Sequence, residues 1–256
     1  MREKLTPSVT FATSCWKRDW DILLKTKCLQ NKIARNVFDF SKKVLVINNV
    51  EDRGEIEKFA KKAVDSGVLT DCFFVEDHID EALKFFQLTK DALGKGYYYS
   101  NHELVSIYLC KTDYIVFYTG DTRLNEKVNW ITPAIVKFKE NSNYKVANPV
   151  WNYKYDEAQA ESSSEIEDFF VGFGFSDQCF LVRTADFRAP IYNEEHPASA
   201  RYPEYGGETF EKRVDSWMRN HNYQRLTFKE GSYMHEDFPE SAFMKKLQIK
   251  TGKYDK

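Results

Sequence analysis

The sequence lacks an excess of charge of either sign and lacks long apolar runs. Its 256 residues include 37 Lys and Arg against 39 Asp and Glu, so the formal net charge is -2. Proteins that bind nucleic acid usually carry a basic excess on one face, which this composition does not provide. Nowhere does the chain contain the run of about 18 apolar residues that a membrane-spanning helix needs. We therefore expect no nucleic-acid partner and no transmembrane segment.

Cysteine is scarce and unpaired. The five cysteines are scattered, odd in number and never form a C-x-x-C pair. A disulfide framework or a zinc site is therefore not expected. The N-terminal stretch also lacks an apolar run of signal-peptide length. These absences favour a reducing compartment, and we expect a cytoplasmic protein.

The first half of the chain does contain a regular alternation of strand-like and helix-like patterns. Runs of β-forming residues occur at 8–13, 43–49, 72–77 and 114–118, with apolar residues at three- and four-residue spacing between them. This alternation predicts an α/β fold in which helices flank a mostly parallel sheet. We expect one domain over 1–256, made of the halves 1–122 and 123–256.

Two local patterns predict details of the helices and loops. Ser100 and Glu103, in "SNHE", have the spacing of a capping box and predict the start of a helix. The segment 153–168 is polar, rich in Ser and Glu, and without apolar periodicity. It predicts a mobile loop, either a lid over a ligand or a plain surface loop.

Polar side chains follow the predicted strands. Asp121 follows the apolar run in "YIVFYTGDT". Thr13 and Ser14 lie at the end of the first strand, and Asn48 follows the second strand. Ligands of open parallel sheets bind at the carboxyl ends of the strands. A turn alone would also use Gly120 and Asp121, but the clustering of polar groups at one edge favours a binding site.

The order of these segments resembles that of the GT-A glycosyltransferases, which use nucleotide sugars. "SVTFATSCWKRDWDILL" is similar to that family's first strand and helix, and "GKGYYYSNHELVSIYLCKTDYIVFYTGD" to its helix, strand and D-x-D motif. "YPEYGGETFEKRVDSWM" resembles the start of its acceptor-side helix, and "SYMHED" its C-terminal histidine. The resemblance covers most of the chain, about residues 8 to 238.

The resemblance implies a set of binding residues. It implies that Asp121 and His235 hold Mn²⁺ or Mg²⁺, a hard cation that neutralises charge on the leaving diphosphate. The residues expected to bind the nucleotide sugar are Thr13, Ser14, Trp16, Asn48, Lys95, Asn101 and Gly120. The first D-x-D position is Thr119, so only one carboxylate of that motif is present.

A carboxylate must also take the proton of the attacking hydroxyl. Glu208 is the first candidate, since it opens a helix behind Gly206 and Gly207. A Glu in a first helical turn is also favoured by the helix dipole alone. Asp177, before a buried strand, is the second candidate. Where inverting members of the family carry Glu-Asp, this chain has Glu208-Thr209.

The sequence therefore predicts a metal-dependent glycosyltransferase. Its donor is a nucleoside diphosphate sugar, its acceptor is a hydroxyl of a glycan, and inversion of configuration is favoured. Two alternatives stay open. A nucleotidyltransferase would need a glycine-rich loop after the first strand, and "TSCWKRDW" has none. A non-catalytic sugar- or nucleotide-binding module would explain the missing carboxylate at Thr119.

Overall fold

A single mixed sheet contains the ten strands found in residues 7–202, 207–236 and 238–255, which are the residues described by this computed structural model. In chain order the strands are β1 (Val9–Cys15), β2 (Lys42–Ile47), β3 (Asp71–Phe74), β4 (Tyr114–Tyr118), β5 (Thr122–Leu124), β6 (Tyr144–Trp151), β7 (Ser162–Ile166), β8 (Phe169–Gly172), β9 (Cys179–Arg183) and β10 (Gln224–His235). The order across the sheet is β3-β2-β1-β4-β9-β6-β10-β8-β7, and β5 pairs with β10.

Helices connect the strands. They are α1 (Trp20–Lys25), α2 (Cys28–Ala34), α3 (Arg53–Asp65), α4 (Ile79–Phe85), α5 (Lys90–Leu93), α6 (Tyr97–Leu109), α7 (Ile131–Glu140), α8 (Tyr155–Ala160), α9 (Thr184–Phe187), α10 (Phe210–Asn220) and α11 (Ala242–Lys250). Across the described residues, no helix is both long and apolar enough to cross a membrane.

The predicted α/β fold class is confirmed. Strands β1 to β4 pair in parallel, as the alternating pattern of the first half predicts. In the second half β6 and β10 are also parallel, whereas β9, β8, β7 and β5 pair antiparallel to their neighbours. The parallel half places the ends of β1, β2 and β4 at one edge of the sheet.

The sheet is buried on both faces, and β4 shows how. Tyr114, Val116 and Tyr118 belong to a core cluster on one face. Ile115 and Phe117 belong to the cluster on the other face, beneath α4, α6 and α10. A strand buried on both faces needs a continuous apolar run rather than an alternating one. This is why the run "YIVFY" is recognisable in the sequence.

The prediction of a mobile loop at 153–168 is wrong about the secondary structure. The segment contains the helix α8 and the strand β7. Among the described strands, β7 pairs only with β8, at the end of the sheet, and most of its side chains are exposed. An exposed edge strand has no face to bury, so its sequence carries no apolar alternation. The missing periodicity therefore reflected exposure and not irregular structure.

The predicted capping box at Ser100 and Glu103 is also wrong. Helix α6 already begins at Tyr97, so Ser100 lies inside it. The Ser100 hydroxyl accepts a hydrogen bond of 2.7 Å from the backbone N–H of Phe210, at the start of α10. Ser100 is buried in the middle of α6, and this hydrogen bond to α10 satisfies its hydroxyl there.

Candidate functional site

A cleft of about 960 Å³ lies at the carboxyl ends of β1, β2 and β4. This is the edge at which open α/β sheets bind ligands. Seven of the residues predicted to form the site line this cleft, namely Ser14, Trp16, Asn48, Gly120, Asp121, Asp177 and His235. The structure therefore brings together residues that are separated by more than half of the sequence.

Asp121 and His235 form a pair in the cleft. The register of β5 on β10 places Thr122 opposite His235, and this puts the preceding Asp121 beside the imidazole. His235 Nε2 lies 3.0 Å from Asp121 Oδ2. Burial alone would raise the pKa of Asp121, but the hydrogen bond and charge of His235 outweigh it and lower the pKa. The Asp121 carboxylate is thus held ionised at neutral pH.

A second carboxylate, Asp19, lies against Gly120. Its Oδ1 accepts a hydrogen bond of 2.7 Å from the backbone N–H of Trp16. A Cβ atom at position 120 would collide with Asp19 Oδ2 and would lie 2.7 Å from the Ser14 carbonyl oxygen. Only glycine therefore permits this approach. Burial raises the pKa of Asp19 to about 7, and the charge of Asp121 acts in the same direction.

A buried lysine supports the same turn from behind. The Lys32 ammonium donates hydrogen bonds to the carbonyl oxygens of Thr119 (3.0 Å) and Gly120 (2.5 Å). Lys32 is almost completely buried, and burial lowers its pKa. Sequence reasoning missed both Lys32 and Asp19. Asp19 lies in the quoted stretch "SVTFATSCWKRDWDILL", but only the fold places it and Lys32 beside Asp121.

Four titratable side chains form what we call the acidic wall of the cleft: His102, Glu103, Asp177 and Glu211. His102 Nε2 lies 2.9 Å from Glu103 Oε1. Glu103 is fully buried, and its Oε2 has no hydrogen-bond partner among the described residues. This wall therefore presents acceptor oxygens to the cleft that the described part of the chain leaves unsatisfied.

The carboxylates of the acidic wall oppose one another's ionisation. Burial and, after it, the charge of Glu103 together raise the pKa of Asp177 to about 7. Burial and the charge of Asp177 also raise the pKa of Glu211. Burial disfavours the imidazolium of His102, but the charge and hydrogen bond of Glu103 outweigh it and raise that pKa. Asp177 is thus poised to exchange a proton near neutral pH.

Glu208 lies outside the cleft lining. Its Oε1 accepts a hydrogen bond from Lys212, one turn along α10, and its Oε2 is 3.2 Å from Arg213 Nε. Glu211, which the sequence analysis passed over, lines the cleft instead. Glu208 precedes α10, whereas Glu211 lies in its first turn. Residues three apart are neighbours on a helix surface, so the sequence alone does not say which of the two carboxylates enters the cleft. Gly206 lies outside the described residues.

Three predicted donor-binding residues do not line the cleft. Thr13 is fully buried and accepts from Lys32 at 3.4 Å. Asn101 is buried and accepts a hydrogen bond of 2.9 Å from Asn48, which does line the cleft. Lys95 lies beside Gly207, outside the lining. Asn101 can therefore orient Asn48 without touching a ligand.

Two arginines form what we call the arginine wall: Arg201 and Arg225. Glu161 contacts both, at 3.6 Å from Arg201 Nη1 and 3.3 Å from Arg225 Nη2. The Arg225 guanidinium also lies over the Trp151 ring, 5.2 Å from its centroid. No sequence motif predicts this pair, because the two arginines are far apart in the sequence.

No protein-family model and no curated protein matches this sequence. Among solved structures, GalNAc-T7 with UDP, GalNAc and Mn²⁺ aligns with 93% of this chain and 44% of its own, at 8% identity and a TM-score of 0.54. Two structures of S. aureus TarS align as well. The first, of its residues 1–349, covers 90% of this chain and 60% of that one, at 10% identity and a TM-score of 0.47. The second covers 95% and 39%, at 11% identity and 0.46.

This chain thus spans less than two thirds of the length of each of these proteins. At such low identity the likeness to GalNAc-T7 concerns the fold alone. The chain has the fold of the GT-A glycosyltransferases.

Proposed function

We propose that this chain transfers a sugar from a nucleoside diphosphate donor to a hydroxyl group of a glycan or similar acceptor. The observation that carries the proposal is that the Asp121–His235 pair and Asp177 lie in one cleft at the strand ends. The pair fits a divalent cation, and Asp177 fits a proton acceptor. A nucleotide-sugar donor is proposed because the fold is similar to that of GalNAc-T7, whose structure contains UDP, GalNAc and Mn²⁺.

The donor set at Asp121 and His235 fits Mn²⁺ or Mg²⁺. Neighbouring ligands of an octahedral ion at about 2.1 Å are about 3 Å apart, and the two donor atoms are 3.0 Å apart. No group of three or more His, Cys, Asp or Glu side chains is placed to hold a metal within 7–202, 207–236 and 238–255. The donor's diphosphate and water would supply the other ligands. Such an ion would neutralise charge on the leaving diphosphate.

The strand ends offer a surface for the nucleotide. Ser14 and Trp16 follow β1, and Asn48 follows β2. The Trp16 ring is 36% exposed, so one face can pack on a base or ribose. Hydrogen bonds with Asn101 fix the Asn48 side chain at the lining of the cleft. Of the predicted donor-binding residues, these three have the best access to it.

Asp177 is the residue that we assign as base. As the acceptor oxygen bonds to the anomeric carbon, the bond from that carbon to the diphosphate breaks and the acceptor's proton passes to the Asp177 carboxylate. A single displacement of this kind inverts the anomeric centre. A pKa of about 7 suits this role, since the carboxylate is available at neutral pH and still basic. We prefer Asp177 to Glu208, whose carboxylate is held by Lys212 and Arg213.

A screen of nucleoside diphosphate sugars tests the proposal. The purified chain is incubated with each donor, with Mn²⁺ or with a chelator, and release of the nucleoside diphosphate is measured. We expect release from at least one donor, dependent on the metal, and an inverted anomer in the product by NMR. Binding of donors without any turnover would instead support a binding module. Release of pyrophosphate from a nucleoside triphosphate and a sugar phosphate would support a nucleotidyltransferase.

A further inference from the structure

The arginine wall brings two positive charges to one backbone position. Both guanidinium groups lie against Gly174, whose φ is +104°. A Cβ atom at this position would lie 2.5 Å from Arg201 Nη2 and 3.0 Å from Arg225 Nη1. Both guanidinium groups thus border the small space that this glycine leaves. Two like charges in one partly buried place repel each other unless anions accompany them.

The described residues supply one shared carboxylate for these two charges. Glu161 contacts both guanidinium groups. Two other acidic groups lie near Arg201. Asp215 is already held by Arg219 at 2.8 Å and by the Ser199 hydroxyl at 2.6 Å, and burial raises the pKa of Glu211, which favours its uncharged form. The arginine wall therefore retains an excess of positive charge within the described part of the chain.

Arg225 in particular has unused hydrogen-bonding capacity. Its side chain is 5% exposed, and its Nε has no hydrogen-bond partner among the described residues. Burying a guanidinium without acceptors is costly, and the planar group pairs best with an anion that offers two oxygens. Trp151 beneath it fixes the plane of the fork.

The segment from Gly174 to Gln178 connects the arginine wall to the turn that carries Asp121. Gly174 lies beside Arg201 and Arg225, and the Gln178 carbonyl oxygen accepts a hydrogen bond of 3.0 Å from the backbone N–H of Thr119. Asp177 lies on this segment, next to Gln178. Along the segment, an anion at the arginine wall is therefore separated from the Asp121 turn by the proposed base.

We infer that Arg201 and Arg225 bind an anionic group of the acceptor, either a phosphate or a carboxylate, while the acceptor hydroxyl points toward Asp177. That the bound anion belongs to the acceptor rests on the proposed function. The anion site itself rests only on the contacts of Arg201 and Arg225. It names the acceptor's class as an acidic sugar or a sugar phosphate rather than a neutral glycan.

Binding of small probes tests the inference. Glucose 6-phosphate, glucuronate and glucose are each titrated into the isotope-labelled full chain, followed by NMR, with Mg²⁺ and with or without UDP. We expect at least one anionic probe to bind, and glucose to bind at least about 10-fold more weakly, as the loss of a charge-assisted hydrogen bond implies. The stronger anionic probe identifies the group as phosphate or carboxylate.

Variants locate the binding. Arg201→Gln, at an exposed position, should weaken the anionic probe by about 10- to 100-fold and leave glucose and UDP unaffected. Arg225→Lys keeps the charge but removes the fork, and should also weaken the probe. Arg53→Gln is the matched control, since Arg53 is an exposed arginine held by Asp77 and Glu57 outside the cleft lining. Thermal melts verify that each variant is folded.

Several outcomes would overturn the inference. They are equal binding of glucose and the anionic probes, no binding of any probe, or unchanged probe affinity in folded Arg201→Gln. Competition between glucose 6-phosphate and UDP would also overturn it, because the arginines would then hold the donor's phosphates. Failure of UDP to bind with Mg²⁺ counts against the proposed function alone, and the titrations with Arg201→Gln still decide the anion site.

Discussion

The two walls of the cleft differ in how they hold charge. In the acidic wall, burial and mutual repulsion raise the pKa values of Asp177 and Glu211, so protons can suppress the negative charge. In the arginine wall, the guanidinium groups of Arg201 and Arg225 keep their charge at any ordinary pH. This difference suits the acidic wall to proton transfer and the arginine wall to binding an anion at any ordinary pH. Changes of pH should therefore act on the acidic wall and not on the arginine wall.

The largest effect is expected at the acidic wall. Asp177→Asn keeps the shape of the side chain but removes its basicity. If Asp177 takes the acceptor's proton, the transfer rate should fall by about 10²- to 10⁴-fold, the usual worth of general base catalysis. Donor binding should remain, because Asp177 is not one of the proposed metal ligands. Initial rates and donor affinity are measured on the same preparations.

Glu208→Gln provides the comparison for this prediction. Its carboxylate is paired with Lys212 and Arg213 outside the cleft lining, so we expect a far smaller loss of rate. A large loss in Glu208→Gln with normal rates in Asp177→Asn would return the role of base to Glu208.

A smaller effect is expected from pH, and it has opposite signs for activity and stability. The folded-state pKa of Asp177 is raised from 3.8 to about 7, so the folded chain binds more protons than the unfolded chain between these values. Stability should therefore fall as pH rises through this window, by at most about 4 kcal/mol from this group. The transfer rate should rise over the upper part of the same window, as the base loses its proton.

Denaturant melts at pH 5 and pH 8 check the stability part. Asp177→Asn should lose less stability than the wild type between the two pH values, because it lacks the titrating group. Asp65→Asn, at an exposed position on α3, is the matched control and should follow the wild type. Identical pH dependence in all three chains would contradict the assignment of a raised pKa to Asp177.

The same contrast explains how far the sequence could predict this molecule. The parallel half was predictable, because β4 and its neighbours are buried on both faces and their apolar runs stand out. Strand β7 was not, because an exposed edge strand has no face to bury. Its polar sequence is that of a loop.

At the site, residues on strand ends were predictable and residues on helix faces were not. Asp121 and Asn48 follow apolar runs, so the sheet rule places them in the cleft. Glu103 and Glu211 lie on helices, where sequence alone does not say which turn faces a ligand. The arginine wall depends on a contact between distant residues around Gly174, and no local pattern records such a contact.

Asp121 and His235, which we propose as metal ligands, allow the most direct test of the proposed glycosyltransferase function. Calorimetry measures the affinity of UDP, and of the other nucleoside diphosphates, for the chain with and without Mn²⁺, in the wild type and in Asp121→Asn. We predict binding that requires Mn²⁺ and weakens by at least about 100-fold in the folded variant, since even supporting residues of a metal site are worth about 10- to 100-fold. Equal affinity in the two chains, or no nucleotide binding to the wild type, would contradict the account.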